Sequence, residues 1–454
     1  MKESSAQQYN RMTKTPVPKL LLTLAVPAII TMLITNIYNL ADTAFVSMLG
    51  DSASGAVGIV FGFMSILQAV SFMFGQGGGS TMARLLGARR TDAANTAVST
   101  AFFSAVGFGL IVAVLGSIFV RPLVMLFGST ETIAPYAITY IRFILIAAPF
   151  ICPSFVMNNI LRYEGKAALG TLGMISGALL NIGLDALLML VFHMGIAGAG
   201  LATAFSQFVG FCILLSMFLR GRSTTKLSLG SFTRSAKEFG SICATGAPSL
   251  IRNGLAALST TILNYCSAPY GDAAIAAMSI VSRISFLIFA VCIGVGQGFQ
   301  PIASFNYGAG KYSRVRSASA AMFVGGQILL TLLAVPAILF PETLVGLFRD
   351  SAPVIAYGAR ALRLQGIALL LMPITVVSEM LFQSTGHKGG AAIMSSVKNG
   401  LFFIPLLLIL SSLRGMSGVQ EAQPLAYLLS IIPSVILLYI FMKRMPKEDL
   451  PDPE

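Results

Sequence analysis

Charge is scarce in this chain. Asp, Glu, Lys and Arg make up only 10% of its 454 residues against 56% hydrophobic ones, a balance that excludes a soluble domain of this size. Histidine occurs twice, at His193 and His387, in loops on opposite sides of the apolar segments, so no zincin pair can form. Five cysteines, Cys152, Cys212, Cys243, Cys266 and Cys292, stand singly in apolar runs without a CxxC. That pattern indicates neither a disulfide framework nor a zinc site, and the cysteines read as small buried hydrophobes. GAGKYS (308–313) would need a glycine at 305 to be a phosphate loop and has Phe305, while GMSG (415–418) is followed by Val419 and makes no nucleophile elbow. No enzyme chemistry, cofactor or ATP site is expected, so any work is expected to draw on an ion gradient, of H⁺ or Na⁺.

What the chain has instead is long apolar runs. They fall at about 20–49, 53–75, 97–120, 135–158, 168–190, 195–219, 241–268, 273–299, 317–340, 356–383, 391–413 and 424–443, each long enough for a membrane helix. The first is too long for the apolar core of a signal peptide and is read as a retained helix. With the N-terminus inside, the inner loops hold 21 of the 30 Lys and Arg, and the outer loops only Arg121, Arg349 and Arg414. This asymmetry predicts a multi-pass protein of the bacterial inner membrane with both termini cytoplasmic. It also absorbs most of the net charge of +13, so membrane lipids are expected partners and nucleic acid is not.

The longest polar interval, Arg220 to Gly240, separates two sets of six segments, and a shift of 221 positions lays the first on the second. Pro27 falls on Pro248, Gly50-Asp51 on Gly271-Asp272, Gly75-Gln76-Gly77 on Gly296-Gln297-Gly298, Tyr136 on Tyr357 and Arg142 on Arg363, without a gap. The fold class is therefore all-α integral membrane: twelve transmembrane helices in two six-helix lobes. Since six is even, the lobes share one orientation and a pseudo-two-fold axis along the membrane normal. The expected divisions are a cytoplasmic tail (1–19), an N-lobe (20–219), a cytoplasmic linker (220–240), a C-lobe (241–443) and a cytoplasmic tail (444–454). A single chain is the expected working unit.

The repeat fails where the acids are. Asp42, in YNLADTAFV (38–46), maps to Leu263, and Asp185, in NIGLDALLM (181–189), maps to Leu406. A carboxylate inside a span costs roughly 3 kcal/mol and marks a functional site by default. Asp42 lies eight residues from Gly50, Asp185 eight from His193 and Thr203 eight from Gly195, which puts all three about 12 Å below the outer surface. Asn181 sits one turn from Asp185 on the same face, and Tyr38 and Asn39 extend the polar stripe around Asp42. Two carboxylates with amide and hydroxyl oxygens suit a hard cation, with Na⁺ as the metal; two neighbouring acids equally carry protons. The plainer alternative is that each acid pairs with a donor and pins helices together.

The second half carries its own charges. Glu379 and Lys398 fall at matching depths in successive segments, so a structural ion pair between them is expected. A substrate or gating role for Glu379, Lys398, Arg252 or Arg283 is the alternative. Arg142, Arg360 and Arg363 lie near enough to the outer surface to snorkel.

Several strings resemble one family. YNLADTAFV (38–46), RYEGKAALG (162–170), NIGLDALLM (181–189), GIAGAGLAT (195–203) and above all GQGFQPIASFNYGAGK (296–311) are similar to the multidrug and toxic compound extrusion (MATE) transporters, in the bacterial, MepA-like multidrug-exporter branch. The resemblance implies a V-shaped fold of two rocking lobes that exports cationic or amphipathic drugs in exchange for H⁺ or Na⁺. It also implies an N-lobe cation site at Asp42, Asn181, Asp185 and Thr203, the same four that depth selects. Relatives with further acids in the seventh and tenth helices depart from this chain, which offers only Glu379 there. The alternatives are a lipid-precursor flippase of the same superfamily and, in another class, a passive channel.

Overall fold

The computed structural model describes residues 5–451, and among them the chain runs as helices with no strand. A short polar helix, α1 (Ser5–Lys14), precedes the spans α2 (Val17–Ser47), α3 (Asp51–Gly87) and α4 (Thr91–Ile118). A short α5 (Val120–Leu126) leads to α6 (Ala134–Tyr163), to α7 (Ala167–Asp185) with a π-helical continuation (Ala186–Val191), and to α8 (Gly195–Leu219). The second half repeats this order with α9 (Ala236–Ser267), α10 (Asp272–Gly308), α11 (Tyr312–Leu339), the short α12 (Pro341–Gly346), and the pair α13 (Ala352–Leu369) and α14 (Pro373–Thr385). It closes with α15 (Lys388–Ser396), which passes through a π segment (Val397–Phe403) into α16 (Ile404–Arg414), and with α17 (Met416–Arg444).

Ten of these helices are long and apolar enough to cross a membrane, and the pair α13 and α14, bent by 55°, makes an eleventh. The twelfth, α9, is 32 residues long but is diluted by Lys237, Glu238, Arg252 and Asn253. Each of the twelve apolar segments thus lies on a helix. The main difference is length: α3 and α10 run on to Gly87 and Gly308, well past 75 and 299. Their Gly-Gln-Gly triplets are helix interior, not loop. A Cβ on Gly77 would sit 2.2 Å from the Ile242 carbonyl oxygen, and one on Gly298 would sit 2.5 Å from the Ala25 nitrogen. Glycine's cost in a helix is offset here by backbone approaching backbone. Of the cysteines, Cys152, Cys266 and Cys292 are buried as expected, whereas Cys243 is half-buried and Cys212 exposed; all five are free thiols.

The helices gather into two compact units. Unit 1 comprises Met1–Met12 and Ile30–Leu250, and unit 2 comprises Thr13–Ile29 and Ile251–Glu454. Two of the three divisions lie inside the long helices α2 and α9, at residues 29 and 250, which are equivalent under the 221-residue shift. Each falls just beyond an internal proline, Pro27 in α2 and Pro248 in α9, where the missing N–H and the ring weaken the helix. Within unit 1, residues 236–250 of α9 pack on α3, with Gly246 against the Met73 backbone. Within unit 2, residues 17–29 of α2 pack on α10, with Ile29 against Gly294. Met73 and Gly294 are equivalent positions.

At the end of α6, the fully buried Glu164 gathers the segment that follows α8. Its carboxylate accepts hydrogen bonds from Ser223 Oγ at 2.7 Å, Thr224 N at 2.9 Å, Thr225 N at 2.8 Å and Thr225 Oγ1 at 2.6 Å. Its backbone oxygen accepts from Gln8 Nε2 at 2.8 Å, and Arg11 donates to the Gly165 oxygen at 2.9 Å. Beyond them Lys226 N donates to Asn95 Oδ1 at 2.9 Å. In unit 2 the C-terminal segment is held in the corresponding way: Arg316, the equivalent of Asn95, donates to the Met445 and Pro446 oxygens at 2.9 and 2.8 Å.

Two outcomes test this packing. Gly246→Ala would bring a Cβ to 1.8 Å from the Met73 oxygen, whereas nothing lies within 4 Å of a Cβ at Gly254. Thermal melting in detergent is therefore expected to show Gly246→Ala destabilised by about 1–3 kcal/mol, with Gly254→Ala at or above wild type. Glu164→Ala leaves four donors without their acceptor, so limited trypsinolysis at Arg222 and Lys226 is expected to accelerate about tenfold while cleavage elsewhere is unchanged.

Candidate functional site

Four helices of unit 1 bring the first set of candidates together. Tyr38 and Asp42 lie one turn apart on α2, Asn181 and Asp185 one turn apart on α7, and Thr203 and Ser206 likewise on α8, so each helix shows one polar face. All six are buried. α6 supplies the connecting group, Tyr140. Its hydroxyl donates to Asp42 Oδ2 at 3.0 Å and lies 3.4 Å from Thr203 Oγ1, while Asn181 Nδ2 donates to Thr203 Oγ1 at 3.3 Å. With the tyrosine proton committed to the carboxylate, the threonine hydroxyl must donate to the tyrosine oxygen. The result is a directed chain from Asn181 through Thr203 and Tyr140 that ends on Asp42.

What the chain of donors leaves over is more informative. Asp42 Oδ1, Asn181 Oδ1 and both oxygens of Asp185 are buried with no hydrogen-bond partner. All four are acceptors. Burying one acceptor without a partner costs about 1–3 kcal/mol, and more for a charged group, so four together describe a place that needs positive charge. Asp42 and Asp185 are within electrostatic reach of each other. Two cavities of about 20 Å³ each, room for one water-sized particle, adjoin the set. One is bordered by Tyr38, Asn39, Asp42, Tyr140 and Thr203, the other by Tyr38, Asn181, Thr203 and Ser206. The donors are oxygens only, and among the described residues no group of three or more His, Cys, Asp or Glu could hold a metal. Such a set suits a proton or a monovalent hard cation. Asp185 is also the last residue before the π turn Ala186–Val191, a distortion common at functional positions.

The sequence candidates thus meet: Asp42, Asn181 and Thr203 share one network, with Tyr38 and Asn39 lining its cavity, and Asp185 faces them unpaired. Tyr140 was missed. The signal that singles out the acids would have found it, since its equivalent under the 221-residue shift is Ala361.

In unit 2 the expected pair is corrected. Glu379 is bonded not to Lys398 but to Arg252, at 2.7 Å, and accepts from Ser395 Oγ at 3.1 Å. Depth alone could not tell which neighbouring helix carries the partner. Lys398, inside the π segment Val397–Phe403, lies over the Phe289 ring at 3.9 Å and 5.4 Å from the Tyr427 ring. Arg283 is exposed on α10. Arg360 and Arg363 pair with Glu421 and Glu342 at 2.9 and 3.1 Å.

Comparison with known proteins follows the same lines. A family model described as MatE matches twice, over residues 27–187 and 248–409, and the two matches begin 221 residues apart, the offset of the internal repeat. The chain is 25% identical over 441 residues to the multidrug export protein MepA of Staphylococcus saprophyticus, covering 97% of both chains. Among solved structures it superposes on a MATE in complex with MaL6 with a TM-score of 0.91 at 23% identity, covering 96% of this chain and 99% of that one. An outward-facing multidrug resistance MATE family transporter of the MOP superfamily gives a TM-score of 0.90 at 23% identity over 96% and 98%. Both structural likenesses are of fold. With twelve helices in two sixfold sets and a family match in each set, this multi-pass membrane protein belongs to the MatE family.

Proposed function

We propose that the chain is a secondary exporter that expels cationic or amphipathic compounds in exchange for H⁺ or Na⁺. Relatives called multidrug export protein support the substrate class. The observation that carries the ion coupling is the set of four orphaned acceptor oxygens on Asp42, Asn181 and Asp185. A cation reaching that level gains the carboxylates and the amide oxygen as ligands; a proton gains one of the carboxylates. In either case the local negative charge falls, and with it the repulsion between Asp42 on α2 and Asp185 on α7. That change is differential between two states of α2, as any coupling requires. Pro27 gives α2 a place to bend or shift, and the two six-helix halves rock to open the substrate path outward. Release of the ion inside restores the charge and resets the exporter. The Asn181–Thr203–Tyr140 chain keeps Asp42 oriented through the cycle, and its donor bond competes with the ion for that carboxylate.

Uptake of a fluorescent cation into everted vesicles, under an imposed pH gradient and then an imposed Na⁺ gradient, tests the reading. Wild type is expected to concentrate the dye under one gradient. Asp42→Asn and Asp185→Asn, at equal expression, are expected to lose at least nine-tenths of that uptake. Full retention by both variants, or equilibration without accumulation as a channel would give, overturns ion exchange at this site.

Tyr140→Phe separates positioning from binding. Hydrogen bonds to a charged group are worth about 1.5–3 kcal/mol, so removing the competing donor should let Asp42 hold the ion more tightly. The expected result is at least a tenfold lower ion concentration for half-maximal exchange, with slower turnover at saturation. Steady-state uptake measured over a range of ion concentrations reads both effects.

A further inference from the structure

Where α12 passes α13 in unit 2, a groove of about 300 Å³ opens at the surface. Glu342, Arg360 and Arg363 border it, with Ile355, Ala356 and Ile367 among its apolar walls. Its polar side lies where neighbouring spans end. Arg363 Nε donates to the Ile338 oxygen in the last turn of α11, at 3.3 Å, and its Nη2 donates to Glu342 at 3.1 Å. Arg360 donates from Nη1 to Ser417 Oγ in the first turn of α17, at 2.8 Å, and from Nη2 to Glu421 at 2.9 Å. Both guanidinium groups thus stand at the level where a span leaves hydrocarbon for headgroups and water.

Snorkelling accounts for each arginine alone, but not for the sum of the charges. Glu421 is shared between Arg360 and Arg414, and Glu342 is paired with Arg363. Three bases answer two acids, which leaves one positive charge in excess. A guanidinium has five N–H donors, and among the described residues Nη1 of Arg363 and Nε of Arg360 have no acceptor. On the deeper side of the arginines the surface turns apolar. Ile367, one turn on from Arg363 along α13, is 48% exposed, and Leu371 beyond it is 45% exposed. A ligand that fits is therefore singly anionic at one end and hydrocarbon at the other. The arrangement was not inherited by both halves: under the 221-residue shift Glu342, Arg360 and Arg363 fall on Arg121, Thr139 and Arg142. Unit 1 keeps an exposed base at Arg142 without the second arginine or the acid beside it.

We propose that this groove holds an anionic phospholipid of the surrounding bilayer, its phosphodiester on Arg360 and Arg363 and an acyl chain along Ile367 and Leu371. Guanidinium groups match phosphate oxygens in a fork, one phosphodiester charge balances the excess, and the chain stays in hydrocarbon. So seated, the lipid braces α13 against the end of α11 and the start of α17. The site is independent of the exporter reading.

Native mass spectrometry of the full-length purified protein, delipidated and then titrated with dioleoyl phosphatidylglycerol or dioleoyl phosphatidylcholine, tests it. Wild type is expected to bind its first phosphatidylglycerol at least about fivefold more tightly than its first phosphatidylcholine. Arg363→Gln should abolish that preference and leave phosphatidylcholine binding unchanged. Ala356→Trp, at an exposed position of the wall, should abolish it with both arginines in place, because the indole fills the groove. Arg142→Gln should keep the wild-type preference. No preference in wild type overturns the proposal, as does a preference that survives in either Arg363→Gln or Ala356→Trp. An equal loss in Arg142→Gln shows attraction to any basic surface and also overturns it. Displacement of the lipid by equimolar inorganic phosphate assigns the arginines to a soluble anion, with the same result.

Discussion

A bilayer offers no water to a polar group that the fold leaves unanswered, so every such group needs a partner within the protein or in something it binds. In unit 1 the helices answer most of the demand internally. Thr31 meets Thr171 at 2.9 Å and Asn36 turns back on the Met32 oxygen of its own helix at 2.7 Å. Against that background the unanswered oxygens of Asp42, Asn181 and Asp185 are not a general looseness of packing. They lie together on two helices, α2 and α7, and Tyr140 and Thr203 hold Asp42 and Asn181 in place. Left unmet, those oxygens cost the fold several kcal/mol.

The duplicated architecture divides two helices between the units. α2 and α9 each begin in one unit and finish in the other, with a proline just before the crossing in both. A helix so divided responds to a change in either unit. The glycines at which α3 and α10 receive the incoming helix segments hold those segments backbone to backbone, which fixes one end of each divided helix firmly. The Glu164 cluster fixes the linker that follows α8 in the same sense, so this segment is tethered by hydrogen bonds along 223–226, those of Ser223 and Thr225 to Glu164 being buried.

Much of this was legible in the sequence. Run length located twelve helices, and the constant shift located the halves. Counting residues from the outer ends brought Asp42, Asn181, Asp185 and Thr203 to one depth, and the structure brings them together. The failures have physical reasons. The helices α3 and α10 were ended too early, at about 75 and 299, because glycine's cost in a helix is visible in sequence, while the backbone contacts that offset it are not. Tyr140 escaped because a tyrosine in an apolar run looks like core until its hydroxyl is seen to have a partner on another helix. Glu379 was matched to the wrong base because depth fixes a coordinate along the membrane normal and says nothing about azimuth. Arg252 and Lys398 both satisfy the depth criterion; only the helix faces decide between them.

Symmetry explains why the charges had to diverge. If both halves had kept identical interiors, each would carry acids and bases at the same positions, and they would pair. A lysine at the unit 1 equivalent of Lys398 would fall at Gly177, one turn from Asn181 and two from Asp185, where it could reach the orphaned oxygens and fill the place of the ion. An aspartate at Leu406, the unit 2 equivalent of Asp185, would likewise stand two turns from Lys398 and could quench its excess charge. By confining Asp42 and Asp185 to one half and Lys398 to the other, the chain keeps the acceptor oxygens of the first half free of a fixed base.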